Sequence, residues 1–348
     1  MNKLFSWALG NEHPQDHPRK RIKLALQGGG AHGAFTWGVL DQLLEDGRLG
    51  LEGISGASAG ALNAVMLADG MIRGGPAGAR KRLADFWRAA SIDGSLPGAS
   101  RRLAGPFSAA NVPMKTWLDS MGRLLSPGQI NPLNINPLKQ LIERFVDFEA
   151  IRNSDLDLFI SATNAQTGDL KIFTRQELTA EAVMASACLP LLFRAETIDG
   201  VPYWDGGYVS NPPLLPFLQT GGSEDLLLVQ ILPPRRGQVP TSAREIAART
   251  GEIAFNAPLL AELRGLAAVE KSAEPGARRL RLHRITLGEL AEYADASSRL
   301  NNDYKFFQTL HERGRDAARQ FLARHFDAIG ERATIDLAAE TETEHAGG

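Results

Sequence analysis

The chain has 348 residues, 43% of them hydrophobic and 22% charged, ordinary globular usage that supports a sizeable core and excludes disorder over most of its length. Lysine and arginine number 38 and aspartate and glutamate 40, a net charge of −2; so balanced a chain offers no electrostatic case for nucleic acid as its partner. The single cysteine, Cys188, excludes an internal disulfide framework and a cysteine-rich metal site.

Residues 1–21 read as a flexible leader. Residues 4–9 are apolar but too short for a signal-peptide core, and no small-residue cleavage pattern follows them. No stretch approaches the ~20 apolar residues of a membrane-spanning helix. The expectation is a cytoplasmic protein, with Phe5 and Trp7 also suited to dip into a lipid interface. The basic run Arg19-Lys20-Arg21 reads as a solvated approach to the first strand rather than a lipid-phosphate patch.

Ile22 to Leu26 has the composition of a strand and is broken by Gly28-Gly29-Gly30. From Gly33 the apolar positions Phe35, Val39, Leu40, Leu43 and Leu44 repeat at helical spacing up to Gly47. A second strand from Leu51 to Ser55 meets Gly56-Ala57-Ser58-Ala59-Gly60, after which a small-residue helix is expected to stop at Gly70. The opening is thus β–loop–α–β–turn–α, the start of a parallel sheet covered by helices on both faces. From 74 to 137 glycines and prolines cut the chain into short pieces. Leu83, Phe86 and Trp87 share one helical face there, and Met114, Trp117, Leu118, Met121, Leu124 and Leu125 form a longer apolar stripe. The stripe reads as core, the alternative being a mobile cap over a site that opens onto lipid.

Further strands are expected at Leu156 to Thr163, Leu170 to Phe173, Tyr203-Trp204, Leu226 to Leu232 and Leu280 to Thr286. Helices are expected from about Ala180 to before Pro190, over 241–270 and over about 302–328. Residues 22–213 form the expected catalytic core, 214–336 the C-terminal part of the same domain, and 337–348 a disordered tail.

Gly56-Ala57-Ser58-Ala59-Gly60 is a G-x-S-x-G sequence, and the chemistry needs its small neighbours. A serine on a tight strand-to-helix turn holds a strained backbone, and flanking side chains would collide. The turn lifts the hydroxyl clear at a helix N-terminus, where the dipole stabilises negative charge. Gly28-x-Gly30-x-x-Gly33 satisfies two uses, a dinucleotide fingerprint or an oxyanion hole of backbone N–H groups. The first expects an acid at the end of the second strand, where this chain has Ser55-Gly56-Ala57-Ser58; Glu52 lies at that strand's beginning. Parallel neighbouring strands would set both glycine loops side by side and favour the oxyanion hole. For the base, His283, His311 and His325 could complete a Ser-Asp-His triad, but each reads as a packed or solvated residue. Asp205 precedes Gly206-Gly207, which leave its carboxylate uncrowded; by itself the sequence is also an ordinary turn.

Gly28 to Gly33, Gly56 to Gly60 and Asp205-Gly206-Gly207, in that order and spacing, resemble the patatin-like phospholipase family. Ser161-Ala162-Thr163-Asn164, Met184 to Pro190 and Asn211-Pro212 are similar too. The resemblance covers about Ile22 to Pro213; around Ser298-Arg299-Leu300-Asn301 it extends more weakly to bacterial members. It implies a three-layer α/β/α sandwich with a mostly parallel sheet and a phospholipid or other glycerolipid ester as substrate. It also implies a Ser–Asp dyad without histidine, Ser58 as nucleophile and Asp205 as general base. The oxyanion hole is expected from Gly28, Gly29 and Gly30 with His32 and Gly33 of the same motif. His32 stands where many members carry Arg or Lys. Peripheral membrane contact is compatible with this reading, and no cofactor, metal or nucleic acid is implied.

Overall fold

Alternating apolar residues on strands buried from both sides build a sheet between two cores. In β1 (Lys20–Leu26) Ile22, Leu24 and Leu26 face one core and Ala25 the other. In β7 (Asp225–Gln230) Leu227 and Val229 face the first core, Leu226 and Leu228 the second. This period of two is what a sheet covered on both faces requires. The structure is a computed structural model and describes residues 19–91, 136–190, 192–272, 279–288 and 296–341. The apolar stripe at 114–125 and the segment 4–9 lie outside the described residues.

After β1, helix α1 (Gly33–Asp46) ends at Gly47 in the left-handed conformation, β2 (Leu49–Gly56) follows, and α2 spans Ala59–Ala90. α2 passes the expected stop at Gly70 and is interrupted instead at Gly74 and Gly75, before Pro76 restarts it. A glycine pair followed by proline, which suits a first helical turn, interrupts a helix more strongly than one glycine. Next come α3 (Pro137–Phe145), α4 (Phe148–Arg152), β3 (Asp157–Asn164), β4 (Leu170–Thr174), α5 (Ala180–Ser186), β5 (Glu196–Ile198) and β6 (Val201–Asp205). Beyond β7 lie α6 (Ala243–Ser272), β8 (Arg281–Thr286), α7 (Tyr304–His325) and α8 (Leu337–Thr341). β5 is too short to show a period and was not expected from the sequence.

The strands run β5-β6-β3-β2-β1-β7-β8, with β4 also paired to β3. β3, β2, β1, β7 and β8 are parallel neighbours; β4, β5 and β6 are antiparallel to theirs. Helices cover both faces, giving the three-layer α/β/α sandwich expected. β7 and β8 continue the same sheet as β1 and β2, and α7 packs on α1, so residues past 214 share the fold with those before it.

Both ends of the chain depart from the sequence reading. Lys20 and Arg21 are part of β1 rather than of a leader. Lys20 Nζ donates to the carbonyls of Phe326, Asp327 and Ile329, and Arg21 pairs with Glu52 at 2.7 Å. Lys20 is therefore a docking point for residues 326–329, a role that carbonyls some 300 residues away cannot advertise in sequence. At the other end Leu337–Thr341 is helical where a disordered tail is expected. Glu340 joins Arg284 of β8 at 2.5 Å, and Leu337 is buried in the second core. Tertiary contacts there override a weak local preference.

Candidate active site

The register of β3 brings two motifs together. Along one edge of β3, Gly53 to Gly56 of β2 pair with Asp157 to Ile160. β2 then turns away, and two positions further on Asp205 of β6 pairs with Ala162 on that same edge, because β4 fills the opposite one. β2 and β6 thus meet nearly end to end, and the residues just past Gly56 face Asp205. Ser58, two residues past Gly56, has φ 52° and ψ −122°, a strained conformation that functional sites retain. It caps the N-terminus of α2, and its N–H donates to Ser186 Oγ at 3.0 Å. Gly60 lets the turn close; a Cβ there would lie 1.9 Å from the Leu26 carbonyl oxygen.

Asp205 is fully buried. Its N–H donates to the Cys188 carbonyl, its carbonyl accepts from Thr163 Oγ1 at 2.7 Å, and its Oδ1 accepts the Gly207 N–H at 2.8 Å. Gly206 opens the short turn that brings Gly207 round. Oδ2 is buried with no hydrogen-bond partner. Burial pushes the carboxyl up to about 7, opposed by the nearby Ser58 hydroxyl and then by the Gly207 amide. The Ser58 hydroxyl thus stands beside the buried carboxyl of Asp205.

The residues of the glycine loop differ in their hydrogen-bond partners. The Gly28 N–H donates to Asn211 Oδ1 at 2.7 Å. The Gly33 N–H is held by the carbonyls of Gly30 and Ala31. His32 is buried, its Nε2 2.8 Å from Ser298 Oγ, and desolvation, aided by Arg299, lowers its pKa to about 3. The polar groups of Gly28, His32 and Gly33, three of the five residues expected in the oxyanion hole, thus already have partners within the protein. The Gly29 and Gly30 amides have none among the described residues. Gln27 fixes the start of the loop: its Oε1 accepts from Ile231 and Leu232, and its Nε2 donates to Asn256.

The histidines of the alternative triad lie elsewhere. His283 bonds Asp225 and Thr334, while His311 pairs with Asp41 and stacks on Trp37. His325 packs on Phe321. No histidine among the described residues hydrogen-bonds Ser58 or Asp205. The dinucleotide alternative lacks its acid too, since Glu52 bonds Arg21 and the Ser223 N–H.

Asn211 and Ser186 belong to motifs quoted from the sequence, but their roles are tertiary. The Asn211-Pro212 and Ser186-Ala187-Cys188 runs mark special backbone without saying what each side chain holds.

An open, mostly parallel sheet covered by helices, with a strained serine at a tight strand-to-helix elbow, defines the protein as α/β. Residues 24–218, more than half of the chain, match the patatin-like phospholipase family. The chain belongs to that family of lipid hydrolases. Among curated proteins none matches the chain. Of solved structures, VipD from Legionella pneumophila is similar at 17% identity and TM-score 0.43, covering 88% of this chain and 67% of its own. The type III effector protein ExoU is similar at 17% identity and TM-score 0.38, covering 88% and 53%. ExoU in its heterodimeric complex with SpcU, from the type III secretion system of Pseudomonas aeruginosa, gives 16%, 0.39, 89% and 52%. The chain thus spans about half to two thirds of the length of these proteins.

Proposed function

We propose that this protein hydrolyses ester bonds of phospholipids or other glycerolipids through a Ser58–Asp205 dyad and an acyl-enzyme. The observation that carries the reading is a buried carboxylate with one oxygen unbonded, set beside a strained serine at a helix N-terminus. An aspartate of ordinary pKa, ~3.9, is a poor base for a hydroxyl. Burial that lifts Asp205 to about 7 narrows the gap.

Ser58 Oγ attacks the ester carbonyl carbon while its proton passes to Asp205 Oδ2. The tetrahedral oxyanion is held by the Gly29 and Gly30 amides and by the N-terminal end of α2. Collapse breaks the ester C–O bond, and the departing alcohol takes the proton from Asp205. Water then attacks the acyl group, giving its proton to Asp205; as the Ser58 Oγ–acyl bond breaks, Asp205 returns that proton to Oγ, and the fatty acid leaves with serine and carboxylate restored. Next to Gly207, Phe255 stacks with Tyr208, which is 42% exposed; this apolar rim suits an acyl chain. No helix among the described residues is long and apolar enough to cross a membrane, so lipid is met by peripheral contact in this reading.

Purified protein incubated with a lipid panel should release fatty acid and lysolipid, and a fluorophosphonate should label Ser58. Ser58→Ala should lower kcat about 10,000-fold or more with the fold retained. Retained hydrolysis in that variant sinks the proposal.

A further inference from the structure

A turn from the far end of the chain grips the glycine loop. Residues 296–300 form a short 3-10 turn well outside the family match at 24–218. Ser298 Oγ lies 2.8 Å from His32 Nε2. Gly30 holds φ +63°, and a Cβ there would sit 2.4 Å from the Arg299 carbonyl oxygen. The two backbones are packed as closely as glycine allows.

The turn is itself anchored. The Arg299 side chain, 18% exposed, donates from Nη2 to the Ala248 carbonyl at 3.2 Å and stands 3.8 Å from Glu252. Arg236 binds Glu252 through two nitrogens, at 2.9 and 2.6 Å. One turn further along α6, Asn256 accepts from Gln27 at 2.9 Å. α6 therefore holds the loop at both ends, directly at Gln27 and through the 296–300 turn at Gly30 and His32. Between these points lie the Gly29 and Gly30 amides.

We propose that the 296–300 turn is a latch that sets the geometry of these amides, with Ser298 and Arg299 as positioning residues acting through His32 and Gly30. The proposal rests on the hydrolase reading of the loop. His32 takes part as a neutral ring, since burial keeps it uncharged. Removing the Ser298 hydroxyl leaves a buried imidazole nitrogen without that partner, and shortening Arg299 frees the turn from α6. Either change loosens the amides without touching substrate, so kcat falls while KM holds.

The full-length protein serves for the test, with Ser298→Ala, Arg299→Ala, the conservative Ser298→Thr and Arg299→Lys, and Leu300→Ala as control. Leu300 is 53% exposed. Hydrogen exchange over residues 28–33 is measured beside p-nitrophenyl butyrate hydrolysis and Tm. The alanine variants at 298 and 299 should speed exchange at 28–33 about tenfold, with the rest of the sheet unchanged. They should lower kcat about 10- to 100-fold at nearly constant KM, the scale of a small misplacement at a reacting centre. The conservative variants Ser298→Thr and Arg299→Lys should keep most of the wild-type exchange protection and kcat, and Leu300→Ala should show neither effect. Unchanged exchange at 28–33 overturns the latch, as does faster exchange spread over the whole chain with a lowered Tm. If the wild type hydrolyses no ester, the functional reading falls, while the exchange result still decides the latch.

Discussion

The Asn211 side chain accepts the Gly28 N–H at 2.7 Å and donates a hydrogen bond from Nδ2 to the Phe255 carbonyl at 3.1 Å. The loop after Asp205 is in this way tied to the loop after β1. The Gly28 position borders both the elbow and Asn211, since a Cβ there would lie 2.7 Å from Ser58 Cβ and 3.1 Å from Asn211 Oδ1. A disturbance at Asn211 therefore reaches the Gly28–Gly30 loop and, through it, the turn at Ser58.

Asn211→Ala leaves the buried Gly28 N–H without an acceptor, at about 1–3 kcal/mol. Chemical denaturation should show a loss of that size, and kcat should fall about 10- to 100-fold as the glycine loop shifts. Full activity in this variant would show that the loop keeps its shape without the side chain.

Asp205→Asn should separate activity from stability. The folded carboxyl is raised to about 7 from the ordinary aspartate value of 3.8, so the folded state holds its proton more tightly than the unfolded state does. Stability then falls as pH rises from about 4 to about 7, and the cost of the buried charge is present in full above that. The asparagine variant should be inactive, yet melt higher than wild type at pH 8. The difference should shrink toward pH 5; a lower Tm at pH 8 would contradict the assignment.

The pH profile of kcat/KM should show one acid limb near pH 7, as Asp205 must be ionised to take the serine proton. His32, with a pKa lowered to about 3, stays neutral across the assay range and adds no limb. A second ionisation between pH 5 and 8 that His32→Asn removes would place a working histidine at the site.

Gly60→Ala tests the elbow without touching a polar group. Its Cβ would come within 1.9 Å of the Leu26 carbonyl oxygen, where backbone has little room to yield. A loss of about 3 kcal/mol or more is expected, measured by urea denaturation, with Ser58 no longer labelled by a fluorophosphonate.

His283→Ala should act in the opposite sense. His283 is buried and bonded to Asp225 at 3.0 Å, on a carboxylate that also holds Arg281 and the Gly330 N–H. Thermal stability should drop, while kcat of the folded fraction stays within about twofold, since its partners lie away from Ser58. Loss of kcat equal to that of Ser58→Ala would restore the triad.

Much of this molecule was legible in one dimension. Short apolar runs announced β1, β2, β3 and β7, and the small residues around Ser58 and after Asp205 announced tight turns. Such signals are local, because steric clash and burial act on a residue and its near neighbours. The partners were not legible. Which polar group each glycine-loop amide meets depends on Asn211 and on the turn at Ser298-Arg299, residues far away in sequence. Proximity across such separations is produced by packing. Chain sequence alone thus set the elements and the chemical candidates. Tertiary structure alone decided that β6 lines up beyond β2 on β3, that the polar groups of Gly28, His32 and Gly33 find partners, and that burial raises the Asp205 carboxyl, because each depends on groups that only packing brings near.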